Sequence, residues 1–260
     1  MQRQFCHTYV VRYDDCDCYG FLTPAAFLRY MQDVAGLDAE GVQFTGDGFW
    51  IVKRSQIAFA APVPLHTPLE MTTYALSFAR ITAQRGYEAR VAGNPEGEPI
   101  VKARTQWVYV DKNGRPKRIP EGSAELWLPD GPQAPLPETP FAPLPECAPE
   151  VTTARVRFSD IDFMQHLNNA AAVDLLDNAA WEVHTTAGIT PTSMVMHALS
   201  YDIEYVASTL LGELVEIQSW FDPLPATEQE VTRTQQIVRD GRVIVRAHSC
   251  WACQVREARD

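Results

Sequence analysis

Two stretches of the chain, VRYDDCD at residues 11–17 and VRFSDID at residues 156–162, share one pattern at an offset of 145 positions. A second pair, IVKA at residues 100–103 and IVRA at residues 244–247, recurs at an offset of 144. Two matches in the same order and at nearly one offset indicate a duplicated unit. We therefore expect the same order of helices and strands twice along the chain.

The segment between the two copies is rich in proline. Eight residues between 129 and 149 are proline, which has no backbone N–H to donate to a helix or a sheet. Such a segment is expected to be an extended, semi-rigid connector. The pattern therefore predicts a first domain at 1–128, a connector at 129–149 and a second domain at 150–260.

Each half predicts one long helix followed by strands. Thr23 is a good N-cap with Pro24 at the first helical position, and Asn168 and Asn169 are capping residues for the second helix. A buried helix followed by long antiparallel strands, written twice, predicts an α+β double hotdog, with two tandem antiparallel sheets each wrapped around a long central helix. The predicted strands are 6–13, 69–79, 84–92 and 100–110, then 152–158, 198–205, 212–221, 230–239 and 243–255.

Composition and charge exclude several classes of protein. Asp and Glu outnumber Lys and Arg by 33 to 22, which argues against a nucleic-acid-binding protein. The absence of a long apolar run argues against a membrane span, and the amino terminus lacks a signal-peptide pattern, so we expect a cytoplasmic protein with reduced cysteines. Cys250 and Cys253 have metal-ligand spacing, but they fall on opposite faces of a predicted strand and no second pair accompanies them. No metal and no organic cofactor are expected.

The loop SDIDFMQHLNN at residues 159–169 carries the clearest chemistry. Asp162 and His166 lie four residues apart, directly before the second helix. A helix amino terminus offers free N–H groups that suit the oxyanion formed when a carbonyl group is attacked. The carboxylate can deprotonate water or attack the carbonyl, and the imidazole can act as a base or a donor. In the same loop, Asp160 is expected to be structural and to pair with Arg157.

This loop resembles the S-D-x-D-x-N-x-H-x-N-N signature of acyl-acyl-carrier-protein thioesterases, which are double-hotdog enzymes that release fatty acids at the end of fatty acid biosynthesis. Residues 30–35, 46–49 and 107–120 are similar to further segments of that family. The resemblance implies an acyl-ACP thioesterase with Asp162 and His166 as catalytic residues. Asn168 and Asn169 would cap the helix and lie near the substrate. The implied partner is acyl carrier protein bearing acyl-phosphopantetheine, or acyl-CoA.

The sequence departs from the family signature at two places. Met164 stands where the family has Asn, and Ser208 and Thr209 stand where plant members have a Glu-Cys pair. A thioether cannot donate the hydrogen bonds of an amide. These departures keep open a non-catalytic protein that binds acyl groups.

The first half offers an alternative catalytic residue. Residues 15–20, DCDCYG, resemble the D-x-D-x-x-G loop of single-hotdog acyl-CoA thioesterases, in which the second Asp is catalytic. That residue is Asp17 here, and Phe21 takes the place of His166. The second hypothesis is therefore an acyl-CoA thioesterase that uses Asp17.

The densest basic cluster follows the fourth predicted strand of the first half. It is either a solvated hairpin or a docking patch for acidic carrier protein or a CoA phosphate. The duplication already supplies a pair of hotdogs, so both a monomer and a homodimer agree with the sequence. Acyl chain length is not predicted. The members of the cluster are Lys112, Arg115, Lys117 and Arg118.

Overall fold

The computed structural model describes residues 3–94, 96–131, 133–225 and 229–256. The outer ends of the two predicted domains, and Pro132 of the predicted connector, lie outside these ranges. Within them, ten strands and three α-helices follow one another as β1 (Phe5–Val10), α1 (Pro24–Gly41), β2 (Phe49–Phe59), β3 (Pro68–Phe78), β4 (Thr82–Val91), β5 (Val101–Val110), α2 (Ser123–Trp127), β6 (Glu150–Arg155), α3 (Asn169–Thr186), β7 (Met194–Tyr205), β8 (Leu214–Asp222), β9 (Gln229–Arg239) and β10 (Arg242–Val255).

All ten strands belong to one antiparallel sheet, in the order β1-β3-β4-β5-β2-β7-β10-β9-β8-β6. From one edge to the centre the strands run β1-β3-β4-β5-β2, and from the other edge they run β6-β8-β9-β10-β7. The two halves of the sheet therefore have the same strand order. The predicted α+β double hotdog is therefore confirmed. The two sheets are continuous because β2 pairs with β7, with Ser55 opposite Ile203.

Strand β2 is the element that the sequence patterns do not predict. Its apolar residues are interrupted by Lys53, Arg54 and Gln56, and the register with β5 shifts between Val52 and Arg54. A bulge of this kind breaks the alternation on which strand prediction depends. Two of these polar side chains bind the second half of the molecule. Arg54 and Gln56 both donate to the carboxylate of Asp202 on β7.

Helices α1 and α3 begin where the capping residues predict. The hydroxyl of Thr23 accepts from the amide of Ala26 at 3.1 Å, and the side-chain oxygen of Asn168 accepts from the amide of Ala170 at 2.8 Å. Both helices pack in one core with the inward side chains of the sheet. Each cap satisfies an amide that the first helical turn leaves unpaired, and so fixes where the helix starts.

The proline-rich segment crosses the face of the sheet that the helices leave open. Between 133 and 149 it forms no helix or strand. Gln84 exchanges hydrogen bonds with the backbone of Leu136, and Arg54 donates to the carbonyl of Thr139 at 2.7 Å. The segment is an extended strap across the sheet, and the predicted boundaries at 128 and 150 stay a prediction.

Candidate functional site

The same tight turn precedes each long helix. In the first half, Asp17 donates its amide to the carbonyl of Phe21 at 2.9 Å. In the second half, Asp162 donates its amide to the carbonyl of His166 at the same distance. The residue before each acceptor has a positive φ, 83° for Gly20 and 64° for Gln165. The backbone therefore places Asp17 and Asp162 in equivalent positions.

A buried aspartate stabilises each turn. Asp160 accepts from the amide of Arg157 at 2.8 Å and from its guanidinium group. Burial opposes ionisation of Asp160, but these bonds outweigh it and hold the pKa of the carboxyl below its usual value. The expected pairing of Asp160 with Arg157 is confirmed.

The carboxylate of Asp162 is oriented by the backbone of its own turn. Its Oδ1 atom accepts from the amide of Met164 at 2.9 Å. The side chain of Met164 is 37% exposed and takes no part in this bond. The carboxylate therefore has one oxygen held by the turn, and the other remains for water or a substrate.

The amino terminus of α3 follows directly. Asn168 caps the helix through its oxygen, and its amide nitrogen donates to the side-chain oxygen of Gln32 on α1 at 3.4 Å. Asn169 is the first helical residue, so its N–H has no acceptor within the helix. That N–H and the partial positive charge of the helix can stabilise a developing oxyanion.

His166 rests against the loop that precedes β8. It forms an isolated β-bridge with Leu210, and the neighbouring Leu167 donates its amide to the carbonyl of Thr209 at 2.9 Å. Glu213 fixes this loop by accepting from the amide of Leu210 and the hydroxyl of Thr209, both at 2.7 Å. These bonds, together with Arg239, lower the pKa of Glu213 to about 2. Thr209 thus serves to anchor the surface on which His166 lies.

The space at the start of α3 is small. A cavity of about 10 Å³ lies between Asn169 and side chains of the first half, including Leu28, Met31 and Trp107. The equivalent space at the start of α1 is far larger, about 270 Å³. Of these two cavities, the larger one therefore adjoins Asp17.

The large cavity is built by both halves. Asp17 and Pro24 contribute from the first half, and Asp177, Asn178 and His197 contribute from α3 and β7. The sequence reasoning missed these last three residues. A signal was present, because Asp174, Asp177 and Asn178 form a polar stripe at i, i+3 and i+4 on a helix that is otherwise apolar.

The basic cluster is partly paired. Lys117 binds Asp47 at 2.6 Å and Arg118 lies 3.4 Å from Glu121, whereas Lys112 and Arg115 are exposed. The hairpin continues from β5, whose Val110 pairs with Phe49 at the first residue of β2. It therefore lies at the same end of the sheet as the small cavity, which Val52 and Trp107 line.

Two further searches concern metals and membranes. Among the residues that the structure describes, no cluster of three His, Cys, Asp or Glu side chains could hold a metal ion. Within the same ranges, no helix has the length and apolar character needed to cross a bilayer.

Two protein-family models match the chain. The model of the acyl-ACP thioesterase N-terminal domain matches residues 2–126, and that of the acyl-ACP thioesterase C-terminal domain matches residues 146–253. Together they cover most of the chain. The unmatched segment between them overlaps the predicted connector.

Solved structures of thioesterases share the fold. A putative oleoyl thioesterase from Lactobacillus plantarum superimposes with a TM-score of 0.81 at 16% identity, over 97% of both chains. The 12:0-ACP thioesterase from Umbellularia californica gives 0.77 at 16% identity, over 97% of this chain and 94% of the other. An acyl-ACP thioesterase from Bacteroides thetaiotaomicron gives 0.71 at 18% identity, over 95% of this chain and 97% of the other. At these identities the likeness shows the fold alone.

Proposed function

Because the chain belongs to the acyl-ACP thioesterase family, we propose that it hydrolyses fatty acyl thioesters of acyl carrier protein to free fatty acid and holo-carrier protein, as a step of fatty acid biosynthesis. The reaction takes place at the loop that enters α3. The observation that carries this assignment is the succession of Asp162, His166 and the uncapped N–H of Asn169 within one ordered turn and helix start.

In the proposed step, the thioester carbonyl accepts a hydrogen bond from the N–H of Asn169. Asp162, oriented by the amide of Met164, takes a proton from water while the water oxygen bonds to the carbonyl carbon. The carbon–sulfur bond then breaks, His166 donates a proton to the sulfur, and the proton that Asp162 took from water returns to His166. The products are the free acid and the thiol of the carrier.

Charge supports a carrier protein as the partner at this end of the molecule. The chain has a net charge of −11, so an acidic partner needs a local basic surface. Lys112 and Arg115 extend from the hairpin beside the first residues of β2, and Asn169 faces a cavity lined by the same strand. This arrangement favours a carrier docked at the hairpin with its phosphopantetheine arm directed to α3.

The test is thiol release from acyl carrier proteins of graded acyl chain length. Asp162→Asn keeps an oxygen that can accept from the Met164 amide, so the turn should fold unchanged. We expect kcat to fall by about 10²–10⁴-fold, the usual cost of losing a general base. Asp14→Asn, an exposed change in the matching first-half turn, is the control. Turnover by Asp162→Asn at the wild-type rate would exclude this site.

A further inference from the structure

The cavity of about 270 Å³ under the Asp17 loop has no role in the reaction described above. We propose that it is a second thioester-hydrolysing site, which takes acyl-CoA and in which Asp17 and Asp177 are the reacting carboxyl groups. The inference rests on the proposed function only in assuming the same chemistry at both places. The residues that line the two cavities do not overlap.

The walls of the cavity suit an acyl chain. Phe59, Trp181, Met196 and Trp251 line it with apolar surface from both halves. An alkyl chain is stabilised when it leaves water for such a surface. The cavity at the start of α3 offers only about 10 Å³, so the ready-made space for an acyl group is beside Asp17.

The two carboxyl groups reach the cavity from opposite halves and are each held by one oxygen. Oδ1 of Asp17 accepts from the amides of Tyr19 at 2.9 Å and Phe21 at 3.0 Å. Oδ1 of Asp177 accepts from the hydroxyl of Tyr201 at 2.6 Å. In both groups Oδ2 remains for a bound molecule. The third carboxyl group of the lining, Asp174, is instead occupied by an ion pair with Arg29.

Burial makes the pair suited to proton transfer. Burial raises the pKa of Asp17, although backbone amides oppose the shift. Burial also raises the pKa of Asp177 to about 6; Arg233 and the Tyr201 hydroxyl oppose the shift, and the charges of Asp174 and then Asp17 add to it. His197, which lines the same cavity, has its pKa lowered by burial and partly restored by Asp17. Near pH 6, where about half of Asp177 is protonated, one carboxyl group of the site can donate a hydrogen bond while the other can act as a base.

A buried arginine behind the cavity wall supports a functional role. Arg233 has no exposed surface, and its Nε and Nη1 atoms have no hydrogen-bond partner. Its Nη1 lies 3.6 Å from Oδ1 of Asp177, and its guanidinium group lies over the ring of Trp251 at 4.1 Å. A buried charge with unpaired donors is costly. The positive charge of Arg233 favours the ionised form of Asp177 and limits the rise of its pKa.

The reaction balances with these groups and water. Asp17 takes a proton from water while the water oxygen bonds to the thioester carbon. Protonated Asp177 donates a hydrogen bond to the carbonyl oxygen, a role that α1 cannot fill with its first residue because Pro24 has no N–H. When the carbon–sulfur bond breaks, Asp17 returns its proton to the sulfur, and free acid and CoA thiol leave.

A cation near the cavity favours CoA as the carrier. Arg256 donates to the carbonyl of Pro191 at 3.2 Å and lies over the ring of Tyr19 at 5.9 Å, and both of these residues line the cavity. A guanidinium group at this place suits a phosphate of CoA. The basic hairpin of the proposed carrier-protein surface lies at the other end of β2. We therefore assign acyl-CoA to the Asp17 cavity and acyl carrier protein to the Asp162 loop.

The experiment measures thiol release from acyl-CoA and from acyl carrier protein by four full-length proteins. These are the wild type, Asp17→Asn, Asp162→Asn and the exposed control Asp14→Asn. Asn keeps an oxygen for the amides that hold Asp17, so thermal unfolding should match that of the wild type. We expect Asp17→Asn to lower acyl-CoA turnover at least 100-fold and to leave acyl-ACP turnover unchanged, with Asp162→Asn giving the reverse.

Each outcome decides between the two assignments. Wild-type acyl-CoA turnover in Asp17→Asn, or no acyl-CoA turnover by the wild type, overturns the second site and leaves the proposed function standing if Asp162→Asn loses acyl-ACP turnover. Loss of acyl-CoA turnover in Asp17→Asn, with acyl-ACP turnover independent of Asp162, keeps the second site and overturns the proposed one. Asp177→Ala, which removes the proposed donor to the carbonyl oxygen, should lower acyl-CoA turnover as Asp17→Asn does, whereas an Asn amide at this position could still donate.

Discussion

The loop that enters α1 and the loop that enters α3 make the same turn but differ in what lies around it. At the first helical position α3 has Asn169 with a free N–H, and α1 has Pro24 without one. On the facing helix, Gln32 of α1 corresponds to Asp177 of α3 at the offset of 145. The Asp162 unit therefore has an amide donor and little open space, whereas the Asp17 unit has open space and an acidic partner.

The difference shows how two copies of one fold can keep the same aspartate and differ in the groups around it. The turn and the helix start supply an aspartate in both copies because they depend on local hydrogen bonds that each half forms by itself. The donor and the second acid each differ by one residue between the halves, Pro24 against Asn169 and Gln32 against Asp177, and neither residue belongs to the turn. Each unit can therefore be changed toward the other by point mutations, and the comparison can be tested in both directions.

The largest effect is expected from moving proline to the second helix. Asn169→Pro removes the N–H proposed to bind the oxyanion, and loss of one such donor costs about 10²–10³-fold in kcat. The helix should survive, because proline is favoured at the first helical position and Asn168 already has an extended backbone with ψ 140°. Acyl-ACP turnover and urea unfolding are the two measurements.

The control is Asn169→Ala, which loses the side chain and keeps the N–H. The ratio of kcat between the Pro and Ala variants isolates the backbone donor. Equal rates for the two variants would mean that the N–H of residue 169 does not contact the transition state. In that case, the lack of an N–H at Pro24 would not distinguish the first unit from the second.

The next effect concerns the acid that distinguishes the large cavity. The pKa of Asp177 is about 6 in the folded protein, against about 4 in an unfolded chain. Between those pH values the folded state binds more protons, so this group's contribution to stability falls as the pH rises. Asp177→Asn removes the ionisation, and we expect it to be up to about 3 kcal/mol more stable than the wild type above pH ~7 and equal to it near pH ~4.

Urea unfolding of both proteins across this pH range gives the difference directly. Subtracting the two free energies of unfolding cancels the contributions of groups that both proteins share. His184, whose burial lowers its pKa to about 3, is one such group. Gln32→Asp, the reverse change at the matching position of α1, should be destabilising at neutral pH. A pH-independent difference between Asp177→Asn and the wild type would show that Asp177 does not titrate in this window.

A smaller loss of stability is expected from a change at the seam between the halves, where β2 pairs with β7. Arg54 donates from Nε to Asp202 at 2.7 Å, and Gln56 donates to the same carboxylate at 3.0 Å. Asp202→Asn replaces a charge-assisted pair by neutral bonds, so we expect unfolding to require about 2 kcal/mol less. Glu98→Gln, which breaks the exposed pair with Lys102, should change stability by less than about 1 kcal/mol. Equal losses would mean that the seam pair contributes no more than a surface pair.

The seam also marks what the sequence could and could not predict about the fold. The repeat at an offset of 145, the caps at Thr23 and Asn168 and nine of the strands follow from local patterns. Strand β2 does not, because a bulge between Val52 and Arg54 breaks its alternation, and Arg54 and Gln56 are polar residues that bind Asp202 of the other half. The polar residues of a strand that joins two units are explained by their partners in the other unit, so the strand's own pattern of apolar and polar residues does not predict it.

The candidate site divides in the same way. Asp162, His166 and the helix start lie in one stretch of sequence, and the structure brings them into one turn, while their catalytic roles stay a prediction. The partners of Asp17 come from α3 and β7, about 160 to 180 residues further along the chain. No local pattern joins residues so far apart, and the polar stripe on α3 was visible only as an exception to an apolar helix.

The smallest effect is expected at the basic hairpin. Lys112 and Arg115 are exposed, and rim charges act mainly on association and its salt dependence. For Lys112→Ala/Arg115→Ala we expect the KM for acyl-ACP to rise by roughly threefold at low salt, with less effect at high salt and no change in kcat. Arg256→Ala, at the other end of the sheet, should instead raise the KM for acyl-CoA. If both variants raised the KM for both substrates alike, the two ends of the molecule would not discriminate between carriers, and the assignment of one substrate to each unit would fail.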